Sequence, residues 1–595
     1  MYSGALTIPD DAFRDELLRT YVYVVYPFMP TIDLDDFLGS ITTADDRNPV
    51  SLLLFQAVMF AGVTFVDAKF LRARGYDSRK AARKAFFSRV RLLYGLDYEQ
   101  DRLPLLQAVL LMTYWYDCPD NDKDTWYWMG IALSLAQVSS YHREPLMPSV
   151  KQRRLRRRIW WSCVIRDRLL ALGVRRPSRI YNEDFRVDPL TVDDFDLRMP
   201  SESVVRLLGE SRFAASEPSA RLQTAVLCVE LSKLCTCLGR ILHSQYSLTG
   251  SQETRSDYLR KAVVVPKDSS TQLEDLALCD AELDEWLTTQ DIRAKYTPAR
   301  TSRESRANVD DATRVIQLHQ AQLHMIYLTT ITVLHKPQVF FSGSDRPDND
   351  QTNAQRRTSK AKIMDAAVAI TNLAHNLKAN DQLRFLSTSS VPAFLSASLI
   401  HLMDTRSPDD DVRSISIGRF CQCVGALQQL QDIYSSADYA IYFLRDVLKN
   451  ANIDVPMVKL ALMSPTSNET TTQQQQRTSR STSGCASSST RIWTPPYQNQ
   501  PASQNQQIIY PDLPLGRDTK NYSNSGIPNQ PQPFLDGQLN PMSAVNFFGG
   551  AQDSGDVIFD PLLMNSWLDI DVTVPTLNGF DVDGNSAPMN TTSFM

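Results

Sequence analysis

The chain has 595 residues, of which 43% are hydrophobic, so it exceeds one compact domain and can bury a large core. From Asn521 to Met595 there are eight Asp and no Lys or Arg. Because the formal net charge of the whole chain is −5, residues 1–520 carry a net charge of +3. A strongly basic nucleic-acid-binding chain is therefore not indicated. The nine Cys are scattered through apolar sequence, which indicates reduced buried thiols rather than a disulfide framework.

The first residues contain no basic segment followed by an apolar core, so a signal peptide is not predicted. The least polar run, 50–66, carries Gln56 at its centre and is shorter than the roughly 20 residues of a membrane span. We predict a buried core helix here and no membrane partner.

Residues 1–460 carry helix-length apolar periodicity almost throughout, as in Ile363, Ala367, Ile370 and Ala374, and strand-like alternation is hard to find. This pattern predicts an all-α, multi-helix domain over 1–460. Polar breaks between helices are predicted at 119–123, 177–196, 248–257 and 342–356.

Composition changes near Ser464 to Ser, Thr, Gln, Asn and Pro. Such sequence buries too little apolar surface to offset its ordering entropy, so 461–550 is predicted to be a disordered linker. Residues 551–595 interleave Asp with bulky apolar side chains, as activation segments do. The predicted anchors for a coactivator groove are Phe559, Leu563, Trp567 and Leu568; the alternative is a segment that docks on the helical domain.

The block KQRRLRRRIWWSCVIRDRLLALGVRRPSRI, at 151–180, follows three apolar segments. A basic stretch, a Trp pair, an Asp-Arg pair and a Gly-x-Arg-Pro-type turn occur in that order, followed by an acidic, proline-interrupted loop up to residue 196. This order resembles the fungal-specific transcription factor domain, the regulatory region downstream of the Zn2Cys6 zinc cluster, and is closest to cutinase transcription factor-like regulators. The motif residues are Trp160, Trp161, Asp167, Arg168, Gly173, Arg176 and Pro177.

The resemblance extends over about residues 10–450. The opening Tyr26–Pro30 resembles the aromatic-proline start of the domain, Trp286 lies where the family often has a Trp that closes a helix, and Tyr327 with 334–337 resembles its late tyrosine and His-Arg-Pro motif. Block 151–196 is the most specific part.

Within this block, Trp161, Ile165, Leu169 and Leu172 recur at helical spacing, which predicts one apolar face. Asp167 lies among apolar residues and should be paired, in a structural ion-pair network or in a ligand or partner contact. Pro177 is expected to end the helix, with Gly173 allowing a tight exit.

Six basic residues cluster at the start of the same helix: Lys151, Arg153, Arg154, Arg156, Arg157 and Arg158. Three interpretations stay open, namely a solvated helix face, a nuclear import signal and a DNA phosphate contact.

The family's zinc cluster needs two Cys-x2-Cys pairs, each followed by a third Cys. Here the first Cys is Cys118, and no Cys-x2-Cys pair occurs. We therefore expect no cofactor in this chain, with zinc only if a missing N-terminal cluster exists. Either upstream sequence is absent, or the regulator works without its own cluster.

Motifs of common enzymes are absent from the sequence. The acidic clusters at 33–36, 193–196 and 409–411 lack the spacing that a magnesium-dependent helical enzyme needs, and that enzyme is the remote alternative. No catalytic or metal-binding residue is predicted.

The resemblance implies a nuclear transcriptional regulator of RNA polymerase II genes, with activation through the tail and a lipid- or polymer-degradation or secondary-metabolite gene set as target. The alternative is a DNA-binding-deficient scaffold or antagonist that acts through a complete regulator. The expected partners are a coactivator or the general transcription machinery, and DNA only through a zinc cluster or a partner regulator. A small-molecule inducer and a homodimer are also compatible with the resemblance.

Overall fold

The computed structural model describes residues 4–43, 49–116, 123–144, 149–174, 176–209, 218–248, 264–267, 272–298, 311–340, 350–450, 456–457, 462 and 491–492. These residues all belong to one compact unit. Apart from 462 and 491–492, the predicted linker and tail lie outside the described residues.

Helices dominate the part of the chain that is described. They are α1 (Asp11–Thr20), α2 (Leu34–Thr43), α3 (Leu52–Val63), α4 (Ala68–Arg72), α5 (Arg79–Gly95), α6 (Arg102–Met112), α7 (Thr125–Val138), α8 (Val150–Val174), α9 (Glu202–Leu208), α10 (Pro218–Gln245), α11 (Gln272–Thr289), α12 (Asp311–Phe340), α13 (Asp350–Ala379), α14 (Ser390–Met403), α15 (Asp410–Leu430) and α16 (Ser435–Asn450). A π-helical turn at Tyr21–Val25 continues α1, and short 3-10 turns lie at Tyr26–Phe28, Val192–Asp194, Leu383–Phe385 and Asp404–Arg406.

Strands are few and short among the described residues. β1 (Thr7–Ile8) pairs antiparallel with β4 (Arg491–Ile492), and β2 (Tyr246–Leu248) pairs antiparallel with β3 (Val264–Pro266). The predicted all-α class is therefore confirmed for the part of the chain that the structure describes.

Helix α3 forms the centre of the N-terminal half. It begins behind Ser51, whose side chain accepts from the Leu54 amide, and each of its residues is buried against α1, α5 and α6. The Gln56 side chain donates to the backbone oxygens of Ala5 and Thr7, so its burial leaves the amide nitrogen satisfied. The predicted core helix is confirmed, and no described helix has the length and apolarity of a membrane span.

The C-terminal half is a bundle in which α12 packs along α13, and α14 and α15 pack on that pair. Ile363, Ala367, Ile370 and Ala374 all lie buried on α13, as their spacing predicts. The predicted break at 342–356 is wrong in its second part, because α13 already begins at Asp350. The first turns of this helix are polar, so they carry none of the apolar periodicity by which a helix is recognised in the sequence.

Two buried histidines, His319 and His401, are expected to make the stability of the domain depend on pH. Burial lowers the pKa of His319 and of His401 to about 4, and nearby Arg419 adds to the effect at His401. In an unfolded chain the pKa is about 6.5, so the unfolded chain takes up protons first as the pH falls. The stability that the neutral histidines contribute is fully present above pH ~6.5 and declines toward pH ~4, by about 1.4 kcal/mol per pH unit for each histidine.

We expect the urea midpoint of the full chain to fall between pH 7 and pH 5. The double variant His319→Gln/His401→Gln should show a shallower pH slope even if it is less stable throughout. His243→Gln serves as the control, since His243 is exposed, and it should leave the slope unchanged. An unaltered slope in the double variant would contradict this assignment.

Candidate functional site: the polar core around helix α8

Helix α8 runs through the interior. Every residue from Arg158 to Arg168 is buried, because α7 and α10 pack on it and the 3-10 turn at 192–194 covers it. The prediction of one apolar face is therefore too narrow, since this stretch is enclosed on all sides. Gly173 is part of α8 and has no left-handed φ, so the predicted exit turn at this residue is wrong.

Asp167 is at the centre of this polar core, with 2% of its surface exposed. Its carboxylate accepts from the backbone N–H groups of Arg179 and Ile180, at 3.0 and 3.1 Å, and from the Ser178 hydroxyl. It also pairs with Arg168, N to O 3.2 Å. Since donors from this chain surround the carboxylate, the structure favours the structural ion-pair interpretation of Asp167 over a ligand contact.

Arg168 joins the motif to α10. Its guanidinium donates to Ser178, to the Ile180 carbonyl and to Asn182. On the α10 side it fills the space above Gly239, where an added Cβ would lie 2.9 Å from the Arg168 Cζ. Our sequence reasoning did not single out Gly239, although an isolated glycine within a helical pattern often marks such a close approach.

The Trp pair and the turn residues pack around the same core. Trp160 and Trp161 are both buried, and each contacts the Phe185 ring edge-on. Arg176 pairs with Asp124 at 3.0 Å, and its guanidinium lies 4.9 Å from the Trp126 ring centroid. The Pro177 carbonyl accepts from the Trp126 indole N–H at 3.4 Å. The motif residues thus fix the loop after α8 against α7.

The basic cluster does not form one exposed face. Arg157 binds three carboxylates, those of Glu144, Asp188 and Asp194. Arg156 lies 4.0 Å from the centroid of the Tyr141 ring.

The remaining basic residues differ in exposure. Lys151 pairs with Asp36 at 2.6 Å, and Arg158 is buried. Arg153 is partly buried and Arg154 is exposed. Of the six basic residues, Arg156, Arg157 and Arg158 therefore contact other side chains of this chain.

The family motifs in the later part of the chain, at Trp286, Tyr327 and 334–337, lie on one side of α10. Trp286 lies in the last turn of α11, stacks on Tyr327 of α12 with 5.3 Å between ring centroids, and donates to the Glu230 carbonyl of α10 at 3.1 Å. His335 is fully buried, and its Nε2 lies 2.9 Å from a carboxylate oxygen of Asp280. These residues join α10, α11 and α12.

The acidic clusters have intramolecular roles. Asp35 pairs with Arg221, and Asp196 pairs with Arg198, while Asp409 caps α15. Among the described residues no group of three His, Cys, Asp or Glu side chains could hold a metal ion. Both Cys-x-Cys pairs have free thiols, and burial raises the pKa of Cys235 and of Cys423.

Three curated relatives align over most of this chain. A transcription factor of Fusarium pseudograminearum (strain CS3096) is 51% identical over 457 residues, 76% of this chain and 50% of the relative. Cutinase transcription factor 1 beta of Fusarium vanettenii is 39% identical over 460 residues, 76% of this chain and 51% of the relative. Transcription factor cpaR of Aspergillus oryzae is 31% identical over 448 residues, 74% of this chain and 72% of the relative.

The model of the fungal specific transcription factor domain matches residues 18–288. The chain belongs to this fungal transcription factor family. The matched range contains α8 and its polar core, and the resemblance inferred from the Trp pair, the Asp-Arg pair and the proline turn is confirmed. No solved structure gives a significant match.

Members of this family are transcription factors, not enzymes, so the prediction of a non-enzymatic protein is confirmed by the family assignment. The chain spans about half the length of the first two relatives.

Proposed function

We propose that this chain is the regulatory region of a nuclear activator of RNA polymerase II genes. The observation that carries the proposal is the alignment of 457 residues with a fungal transcription factor at 51% identity. The polar core around α8 supports it, because the residues of the family motif there join the loop after α8 to α7 and α10.

The target genes are proposed by analogy. A relative is named cutinase transcription factor, which favours genes for the breakdown of lipids or plant polymers. A secondary-metabolite gene set is the other candidate. Nuclear import is proposed for the cluster at 151–158, and its most exposed members are Lys151 and Arg154. DNA contact is proposed to come from a zinc cluster or from a partner regulator.

Activation is proposed to depend on the acidic, aromatic segment 551–595, which lies outside the described residues. The full chain fused to an unrelated DNA-binding domain should drive a reporter gene. Alanine at Leu563, Trp567 and Leu568 together should lower the reporter signal at least about fivefold, because a few bulky side chains carry most of the affinity of such contacts.

Alanine at Phe534, Leu535 and Leu539 is the matched control, since it removes similar apolar surface from the preceding linker. A reporter that is silent with the unaltered chain, or equal losses in both triple variants, would exclude activation by these anchors. A scaffold or antagonist differs in one further result: its promoter occupancy on chromatin disappears when the complete partner regulator is deleted.

A further inference from the structure

A cleft at the start of α7 holds two arginines from the loop after α8. Its lining consists of Asp124, Trp126, Tyr127, Gly130, Ile131, Ser134, Arg176 and Arg179. The cleft is open to solvent and has a volume of about 420 Å³, within the roughly 300–1,000 Å³ that small-molecule sites occupy. It is therefore large enough for a ligand with one or two rings.

Helix α7 forms the floor of the cleft. Tyr127, Gly130, Ile131 and Ser134 lie on one face of this helix, because residues three and four positions apart are neighbours on a helix surface. Gly130 leaves this face open and allows the Arg179 guanidinium to approach, since an added Cβ would lie 3.2 Å from the Arg179 Cζ. Tyr127 and Ile131 are partly exposed beside the glycine, so the floor offers apolar surface to a ligand.

Trp126 positions both guanidiniums beside this floor. The Cζ atom of Arg179 lies 3.4 Å from the centroid of the indole ring, and that of Arg176 lies 4.9 Å away. Arg176 is also paired with Asp124 at 3.0 Å. A contact to the face of an aromatic ring holds a guanidinium without using its N–H groups, so these groups stay available as donors.

Arg179 differs from the buried arginines of the interior. Arg83 and Arg166 are 3% and 4% exposed, and their guanidiniums donate to carbonyl and hydroxyl oxygens at 2.6–2.9 Å. Arg179 is partly exposed. Among the described residues its guanidinium makes one hydrogen bond, a long one of 3.4 Å to the Trp126 carbonyl, and it has no ion pair. Its remaining donors can therefore reach a ligand in the cleft.

The charges around the cleft favour a monoanion. Two arginines of the lining oppose the single carboxylate of Asp124, and the Lys123 ammonium lies 5.9 Å from the Tyr127 ring centroid. Burial lowers the pKa of Arg179, and repulsion from Arg176 adds to the effect; a bound anion offsets both. A dianion is matched less well, because Asp124 already compensates one of the two guanidiniums.

We propose that this cleft binds an aromatic monocarboxylate, with the carboxylate on the Arg179 guanidinium and the ring on the α7 face between Tyr127 and Ile131. The parallel N–H groups of a guanidinium match the two oxygens of a carboxylate. A flat ring suits an open cleft, since it buries a large apolar area with few rotatable bonds. The bound acid contacts both α7 and the loop after α8, so it stabilises the contact between them.

The site extends the proposed regulatory function, since it gives the domain a signal to receive. The first test is calorimetric titration of the full chain with sodium 2-naphthoate at constant ionic strength. 2-Naphthamide is the neutral analogue, and decahydro-2-naphthoate is the saturated acid of similar size. We expect 2-naphthoate to bind at least about tenfold more tightly than the amide, as a charge-assisted contact to arginine requires, and more tightly than the saturated acid. Equal binding of the amide, or no binding of 2-naphthoate, overturns the proposal, and equal binding of the saturated acid overturns the preference for a ring.

Arg179→Gln should weaken 2-naphthoate binding about tenfold or more, whereas Arg154→Gln, at an exposed position of α8, should leave it unchanged. Ser134→Phe fills the cleft from its exposed end and should also abolish binding, while Ser134→Ala should retain it. Both Ser134 variants keep the two guanidiniums, so they decide the matter if Arg179→Gln does not fold. Undiminished binding in Ser134→Phe contradicts the site.

The reporter assay separates the two proposals. Binding of 2-naphthoate with a silent reporter supports the site and contradicts the activating function. An active reporter in a chain that does not bind 2-naphthoate supports the function and contradicts the site.

Discussion

Replacing Asp167 with alanine is expected to lower the free energy of unfolding by about 3–5 kcal/mol, the usual cost of removing one partner from a buried ion pair. The change leaves the Arg168 guanidinium buried without its acid and removes the acceptor of the Arg179 and Ile180 amides. The midpoint of chemical unfolding of the full chain, followed by tryptophan fluorescence, measures the effect.

The matched control is Asp410→Ala, because Asp410 forms an exposed ion pair with Arg413 and has 85% of its side chain exposed. That change should cost no more than about 1 kcal/mol, as exposed ion pairs do. Asp167→Asn retains the shape and part of the acceptor capacity, so its cost should lie between those of the two alanine variants. If Asp167→Ala lowers the free energy of unfolding no more than Asp410→Ala does, the Asp167 carboxylate does not hold the loop after α8 in place.

Gly62→Ala is expected to have the second large effect. Helices α1 and α3 approach so closely at Gly62 that an added Cβ would overlap the Leu17 backbone carbonyl, with the carbonyl carbon 3.0 Å away. The Thr20 hydroxyl donates to the Gly62 carbonyl at 2.9 Å and holds the two helices in this position. Because a backbone cannot rotate away as a side chain can, the overlap should cost about 3 kcal/mol, at the upper end of overpacking effects.

Helix propensity acts in the opposite direction, since alanine stabilises a helix interior by about 1 kcal/mol relative to glycine. Gly418→Ala isolates this contribution, because outside the backbone of α15 itself no atom lies within 4 Å of a Cβ added at Gly418. We expect the Gly62 variant to unfold at a lower temperature than the unaltered chain and the Gly418 variant at an equal or higher one. An unfolding temperature of the Gly62 variant above that of the unaltered chain would show that α1 and α3 can move apart without a loss of stability.

The family and the fold class could be predicted from the sequence because both depend on local order along the chain. The periodicity of Ile363, Ala367, Ile370 and Ala374 is a property of one helix, and their burial follows from it. The order of the Trp pair, the Asp-Arg pair and the proline turn is equally local. The core helix at 50–66 was recognisable by its length and by Gln56, without knowledge of its neighbours.

The candidate site depended on contacts between distant segments. Arg158 meets Tyr26 across 132 residues, and Gly239 receives the guanidinium of Arg168, yet no spacing in the sequence relates these positions. For the same reason the run of basic residues could not be divided beforehand into exposed and buried members. Their role depends on which acids the fold brings to each one.

The sequence by itself determined the all-α class of the described part of the chain and which side chains belong to the family motif, because periodicity and residue order are properties of single segments. Only the tertiary structure decided the rest. It encloses α8 on all sides, gives the Asp167 carboxylate its donors, and brings the Arg158 guanidinium to the Tyr26 hydroxyl. The physical reason is that burial and charge compensation depend on the sum of all packed neighbours, and these come from helices far apart in the chain.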